Sequence, residues 1–331
     1  MRRPLAVPVI LLLLVTGGSQ VATRPRAGTV PAITASPGPS AGAAPHRIKT
    51  RRAPRGLGIQ AIVPSPGETV GIGMPIILTF TGPVRDRAAV ERSLEVRARK
   101  PVPGAWHWVS DTEVVYRTKT DWPPRQQVAV TARLAGVRVA PRTYGTADRT
   151  VEFFVGRRQI SLVDTLTHQM LVYRDGRLAR RMAISAGNGA TREYTTTSGV
   201  HLTMDKDDPV RMVSPGRREG DRDYYDLMIR HAVRISNSGE YIHAKDNLWA
   251  QGRVNVSHGC VNARPDQAAW FFRSSLRGDP VIVTGTDRPL EWRNGWGYWQ
   301  LPWGAWRKGS ALHDHGSLTL PHPKKWGYGG N

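Results

Sequence analysis

One side chain in this 331-residue sequence can act as a thiolate: Cys260, its single cysteine. It stands in VSHGCVN, two positions after His258 and seventeen after His243. A thiol becomes a useful nucleophile near neutral pH when a base or an imidazolium lies close. His258 could reach the site, because side chains two apart in an extended chain share a face. His243 sits in EYIHA, a strand-like run that could lie beside the cysteine loop. Gly259 permits a tight backbone and close approach of a substrate. The loop runs from a strand-like RVNV towards a helix starting near Pro265, so its amides could converge as an oxyanion hole. The helix N-terminus would also favour thiolate. A buried lone cysteine is more often inert core. A cysteine with a sequence-distant histidine on a β scaffold is instead the layout of a cysteine acyltransferase.

The flanking elements that must hold these groups read as mainly β. From Arg157, RQISLVDTLTHQMLVYRDGRLARRMAISAG predicts strand, turn, strand, turn, strand, with Asp175-Gly176 as a hairpin turn. GVHLTMDK predicts another strand, Pro209 to Asp223 a loop, and YDLMIRHAVRISNSGEYIHA further strands. RPDQAAWFFRSSLRG is the one good helix. Pro265 suits its first turn, Asp266 complements its dipole and Gly278 can end it. DPVIVTG closes the unit as a buried strand. Upstream, short β-branched runs punctuated by Pro, Gly and Asp over residues 59–156 predict a β-sandwich of immunoglobulin type, a spacer or binding module.

The ends of the chain bound its location. MRRPLAVPVILLLLVTGG has Arg2 and Arg3 before a short apolar run, so residues 1–22 read as a signal peptide or an uncleaved anchor. No cysteine follows that run, which excludes a lipid anchor on Cys. Residues 23–58 are basic and rich in Ala, Pro, Gly and Ser, without an acidic residue, and predict a disordered linker. Residues 286–331 form a Trp- and Gly-rich extension predicted to pack on the catalytic domain, 157–285. A net charge of +21 implies an anionic environment, such as a cell-wall polymer or membrane surface. Export and the lack of zinc-finger or helix-turn-helix signals argue against nucleic acid. A single cysteine excludes an intrachain disulfide. His313 and His315 lack partner ligands at useful spacing, so no metal and no cofactor is expected. The glycosylation pattern at Asn255 lies inside the cysteine loop and is set aside.

His243, followed by SHGCVN at residues 257–262 and continuing into RPDQAAWFF, resembles the signature of the YkuD-type L,D-transpeptidases. The resemblance covers roughly residues 159–285; the sandwich and the YWQLPWGAWRKG tail resemble the accessory parts of actinobacterial members. It implies attack by the cysteine on the bond between residues 3 and 4 of a peptidoglycan stem peptide. A second stem's amine would then resolve the thioester to a 3→3 cross-link. By that resemblance Cys260 is the nucleophile and His243 the proton-transfer residue, its ring oriented by the Ala244 carbonyl. Gly259 and Cys260 supply oxyanion N–H groups, and Ser257, His258 and Asn262 shape the loop or contact substrate. Tyr225, or else Tyr224, is the flap aromatic, and Met204 a pocket wall. Arg211, Arg217, Arg218 and Arg222 in the flap depart from the family pattern and read as a solvated basic loop or as a site for stem carboxylates. The implied partners are donor and acceptor stem peptides, with acylation by carbapenems. Two alternatives stand beside transfer: hydrolysis of the same thioester, giving an L,D-carboxypeptidase, and a non-catalytic wall-binding protein.

Overall fold

The computed structural model describes Ala53, residues 55–214 and residues 216–312. The predicted signal segment, most of the linker, and His313 and His315 lie outside these residues. No helix among the described residues is long and apolar enough to cross a membrane.

The N-terminal part is a sandwich of two four-stranded sheets. One has the spatial order Thr69–Val70, Arg149–Val155, Gln126–Ala132, Leu94–Ala98. The other runs Ile59–Val63, Ile76–Phe80, Glu113–Thr118, Gly104–Trp108. Burial alternates residue by residue along Arg149–Val155, the pattern of a strand with one face on a core. Val128, Val130, Val151 and Phe153 from the first sheet share that core with Ile76, Leu78 and Val114 from the second. A short strand precedes the predicted start of the sandwich. Arg55–Leu57, inside the expected linker, pairs in parallel with Thr143–Gly145. Three residues are too few to show a period, so only the buried Leu57 marks this strand in the sequence.

The second part is built on a nine-stranded sheet. Its order is Gly199–Leu202, Pro280–Thr284, Gln159–Asp164, Gln169–Arg174, Arg177–Ser185, Val261–Ala263, Tyr241–Ala244, Ala232–Arg234, Lys206–Asp207. The predicted hairpin at Asp175-Gly176 is present, with φ of 50° and 82°, as a two-residue turn matched to strand twist requires. The helix Pro265–Ser274 buries Ala268, Ala269 and Phe271, with Pro265 in its first turn and Asp266 and Arg273 at the favourable ends of its dipole. It stops before Gly278, because Ser275 is already extended. Gly278 serves another purpose: at φ 86° it turns so closely past Met74 of the sandwich that a Cβ would lie 2.6 Å from the Met74 Cβ.

The stretch predicted as a loop from Pro209 contains a strand. Val210–Val213 pairs with Asp226–Ile229 as a separate hairpin. Arg211 forms a two-pronged ion pair with Asp226 at 2.8 and 2.7 Å. Charged pairing on an exposed ribbon hides the apolar alternation that would reveal a strand.

The C-terminal extension does not rest on the catalytic part alone. Trp306 is fully buried against the sandwich, its indole N–H donating to the Ala105 carbonyl at 2.9 Å and its ring stacked on His107 at 4.5 Å. Arg117 donates to the Leu301 carbonyl and lies 5.0, 5.5 and 4.9 Å from the rings of Trp299, Trp303 and Trp306. On the other side Leu290 N–H donates to the Ser198 carbonyl. Aromatic residues in the tail were legible; their two-sided docking depends on the sandwich and could not be read from the tail itself.

Candidate active site

The cysteine loop is fixed backbone by backbone. Ser257 N–H donates to the Ala186 carbonyl at 3.0 Å, and Asn188 N–H to the Ser257 carbonyl at 2.9 Å. These bonds attach the loop beyond the end of Arg177–Ser185. RVNV is not a strand here; the only pairing before the cysteine is an isolated bridge between Ser257 and Gly187. Asn255 explains the irregularity, since its side chain accepts Ala186 N–H and donates to the Thr165 carbonyl, both at 2.9 Å. Ser257 Oγ accepts Gly259 N–H at 3.1 Å and donates to the Cys260 carbonyl at 2.6 Å. Gly259 adopts φ 122°, where L side chains are strained. A Cβ there would meet nothing nearer than the Glu193 carbonyl at 3.6 Å, so the demand for glycine is conformational rather than spatial.

After the loop, Val261–Ala263 lies between two strands. Ala263 and Asn262 face Ile184 and Ser185 on one side, while Asn262 lies opposite His243 on the other. This register brings Tyr241 beside Cys260, and its N–H donates to the sulfur. The thiol in turn donates to the Gly239 carbonyl at 3.4 Å. His243 is buried, and its Nδ1 lies 2.9 Å from the Ala244 carbonyl. A carbonyl only accepts, so Nδ1 carries the proton and Nε2 is left as the base.

Burial dominates the electrostatics. It lowers the pKa of His243 to about 4, with the Ala244 bond opposing and the Lys245 charge adding a little. Around the half-buried Cys260 side chain, desolvation raises the thiol pKa, against the Tyr241 N–H and with help from the Glu240 charge. The resting pair is therefore neutral thiol and neutral imidazole. The predicted help from the helix N-terminus does not materialise, because Val261–Ala263 and Arg264 intervene between the sulfur and the helix.

His258 is exposed and held between two tyrosines. Tyr194 meets it edge-on at 4.4 Å and Tyr225 stacks on it at 5.3 Å. Burial raises the Tyr225 hydroxyl pKa, and the nearby Cys260 sulfur raises it further. Tyr225 thus reaches the site from the flap hairpin, whereas Tyr224 lies near Arg211. Arg217 sits 5.5 Å over the Tyr194 ring and accompanies Glu193 at 3.9 Å. Met204, expected at a pocket wall, is buried in the core with Leu202, Trp296 and Tyr298. Gly259 N–H, expected to face an oxyanion, is spent on Ser257. No metal-binding cluster of three or more His, Cys, Asp or Glu occurs among the described residues.

The bacterial Ig domain family matches residues 32–138, and the L,D-transpeptidase catalytic domain family matches residues 158–283. L,D-transpeptidase 1 of Mycobacterium tuberculosis is 34% identical over 231 residues, 69% of this chain and 85% of the relative. The chain belongs to the L,D-transpeptidase family. L,D-transpeptidase 5 of the same organism is 36% identical over 253 residues, 74% of this chain; the chain spans 55% of its length, and 64% of that of L,D-transpeptidase 2. Among solved structures, LD transpeptidase LdtMt1 in complex with imipenem superposes with a TM-score of 0.59 at 34% identity, covering 69% of this chain and 99% of that one. L,D-transpeptidase 3 of M. tuberculosis with a faropenem-derived adduct gives 0.57 at 27% identity, covering 69% of this chain and 98% of that one.

Several residues at the site escaped the sequence reading. Thr196 and Thr197 bind the two sides of the cysteine, Tyr194 packs on His258, and Glu240 with His201 forms a buried polar pair behind Gly239. The visible signals were a run of three threonines and a glutamate beside a predicted buried strand. Neither carries a spacing that names its partner.

Proposed function

We propose that this protein is an exported peptidoglycan L,D-transpeptidase, with Cys260 as nucleophile and His243 as proton carrier. The observation that carries the reading is a thiol clasped by Gly239 and Tyr241, next in the chain to a strand whose Asn262 pairs with His243, an imidazole with its Nδ1 fixed by the Ala244 carbonyl. Fixing Nδ1–H leaves Nε2 to take the thiol proton as sulfur attacks the carbonyl of stem residue 3. The Cys260 N–H, the loop donor not spent on Ser257, stabilises the oxyanion. Collapse breaks the amide, the leaving D-Ala nitrogen takes the proton from His243, and a thioester remains. The acceptor's side-chain amine then attacks the thioester and gives a proton to His243, which returns it to the departing sulfur. A 3→3 amide forms and the thiol is restored. The neutral resting pair suits this cycle, because the proton moves only when the attacked carbonyl is in place.

Tyr225, Tyr194 and His258 form an aromatic wall at the entrance, fit to flank an extended peptide. Asn262 holds the register between the His243 strand and Arg177–Ser185. The charge of +21 favours adsorption to anionic wall polymers or lipid, a salt-sensitive attraction. The test is incubation with a disaccharide-tetrapeptide, wild type beside Cys260→Ala. Cross-linked dimers from wild type alone support transfer. Tripeptide without dimers points to hydrolysis, and an inert folded wild type overturns the catalytic reading.

A further inference from the structure

The sulfur of Cys260 is held by the backbone on either side of one residue. The Gly239 carbonyl accepts the thiol proton and the Tyr241 N–H donates to the sulfur. Glu240, between them, turns its side chain to a different segment. It is 4% exposed, and its carboxylate accepts Thr197 N–H at 2.7 Å and the Thr197 hydroxyl at 2.8 and 3.0 Å. His201, fully buried, closes the cluster: Nε2 lies 2.8 Å from Thr197 Oγ1 and 3.8 Å from the carboxylate, and Nδ1 lies 3.3 Å from the Gly199 carbonyl. The Thr197 hydroxyl has one proton and spends it on Glu240, so Nε2–H of His201 donates to it.

The neighbouring residue completes the pattern. Thr196 Oγ1 donates to the Gly259 carbonyl at 2.8 Å. Two consecutive threonines therefore hold the two halves of the nucleophile's setting, Thr196 the cysteine loop and Thr197 the clasp. A carboxylate is costly to bury unless paired and hydrogen-bonded, and an apolar side chain would fill the position at less cost. Its presence calls for a role that an apolar side chain could not fill.

We propose that Glu240 is a positioning residue which, anchored through Thr197 and His201, seats the Gly239–Tyr241 clasp on the Cys260 sulfur. Its negative charge behind the clasp also disfavours thiolate in the empty site. This rests on Cys260 being the nucleophile. The other titratable groups whose charge couples to the sulfur are Tyr241 on the adjacent strand and Tyr225 on the flap. Glu240 itself pairs with His201.

The test compares Glu240→Gln, Thr197→Val and Thr197→Ser with wild type, each checked for folding by circular dichroism. Two readouts are followed: iodoacetamide alkylation of Cys260 as a function of pH, and acylation by imipenem. Glu240→Gln removes the charge but keeps an acceptor for Thr197. Its alkylation curve is expected to move about one unit towards acid, with about a tenfold higher rate at pH 9. Thr197→Val keeps the charge but cuts the anchor, and acylation should fall about tenfold, recovering to within about twofold in Thr197→Ser. A folded Glu240→Gln variant whose alkylation curve superposes on wild type overturns the proposal. So does a Thr197→Val variant acylated at the wild-type rate, which keeps the test alive should Glu240→Gln not fold. Alkylation requires no acyl donor, so a wild type inert to imipenem would sink the transpeptidase reading while leaving the thiol curve readable.

Discussion

Thr196→Val replaces a hydroxyl by a methyl of nearly the same shape at a fully buried site. The hydroxyl accepts Gly187 N–H and donates to the Gly259 carbonyl, each at 2.8 Å and each buried. The substitution strands one donor and one acceptor. A buried backbone group without a partner costs about 1–3 kcal/mol, so the pair should cost about 2–6 kcal/mol. That is a large share of the ~5–15 kcal/mol that holds a typical domain. The two stranded groups flank the cysteine loop, since Gly259 precedes Cys260 and Gly187 bridges to Ser257. Displacing a reacting atom by about 1 Å can cost about a hundredfold in rate, and a loss of that size is expected in imipenem acylation. Thr196→Ser keeps the hydroxyl and should stay within about 1 kcal/mol and threefold of wild type. The assays are urea denaturation and stopped-flow acylation. A Thr196→Val protein that loses under about 1 kcal/mol and acylates within threefold would show that these two bonds do not hold the cysteine loop.

Further outcomes follow from the same geometry. The folded His243 pKa of about 4 lies below the unfolded value of 6.5, so the unfolded chain binds the extra proton between them. Stability from this residue is present above pH 6.5 and is lost as pH falls towards 4, by about 3 kcal/mol; urea midpoints of His243→Gln should lack that acid-side loss. Desolvation holds the thiol and the imidazole neutral in the empty site, so alkylation of Cys260 should rise steadily to pH 9 without a neutral-pH plateau. Gly259→Ala should cost about 1–3 kcal/mol from backbone strain alone, visible as a lower thermal midpoint. Trp306→Ala should cost about 3–5 kcal/mol and separate the unfolding of the sandwich from that of the catalytic part, seen as a second calorimetric transition.

What could be read in the sequence was whatever local spacing encodes. Asp175-Gly176 announced its hairpin because two consecutive positive φ values demand such residues. Pro265 and Asp266 announced a helix start for equally local reasons. His243 and Cys260 could be singled out because their types carry chemistry, and Ala244 only because the resemblance sets a carbonyl after the histidine. Gly278 misled as a helix end, because its backbone serves a contact with Met74 two hundred residues away in the sandwich. The packing of Met204 with Trp296 and Tyr298 was hidden likewise, since those neighbours come from the tail. Thr197, His201 and Glu240 were invisible for a related reason: ordinary residue types gain their role only when the sheet brings three segments together.

The most direct test of the account is the covalent state of Cys260 during turnover. Wild-type protein would be mixed with a tetrapeptide donor in the absence of an amine acceptor, quenched in acid within seconds, digested and mapped by mass spectrometry. The peptide containing Cys260 should carry the mass of the tripeptide acyl group, in amounts lost in His243→Gln. An acyl group on any other residue, or an unmodified Cys260 in folded protein that still consumes donor, would contradict it.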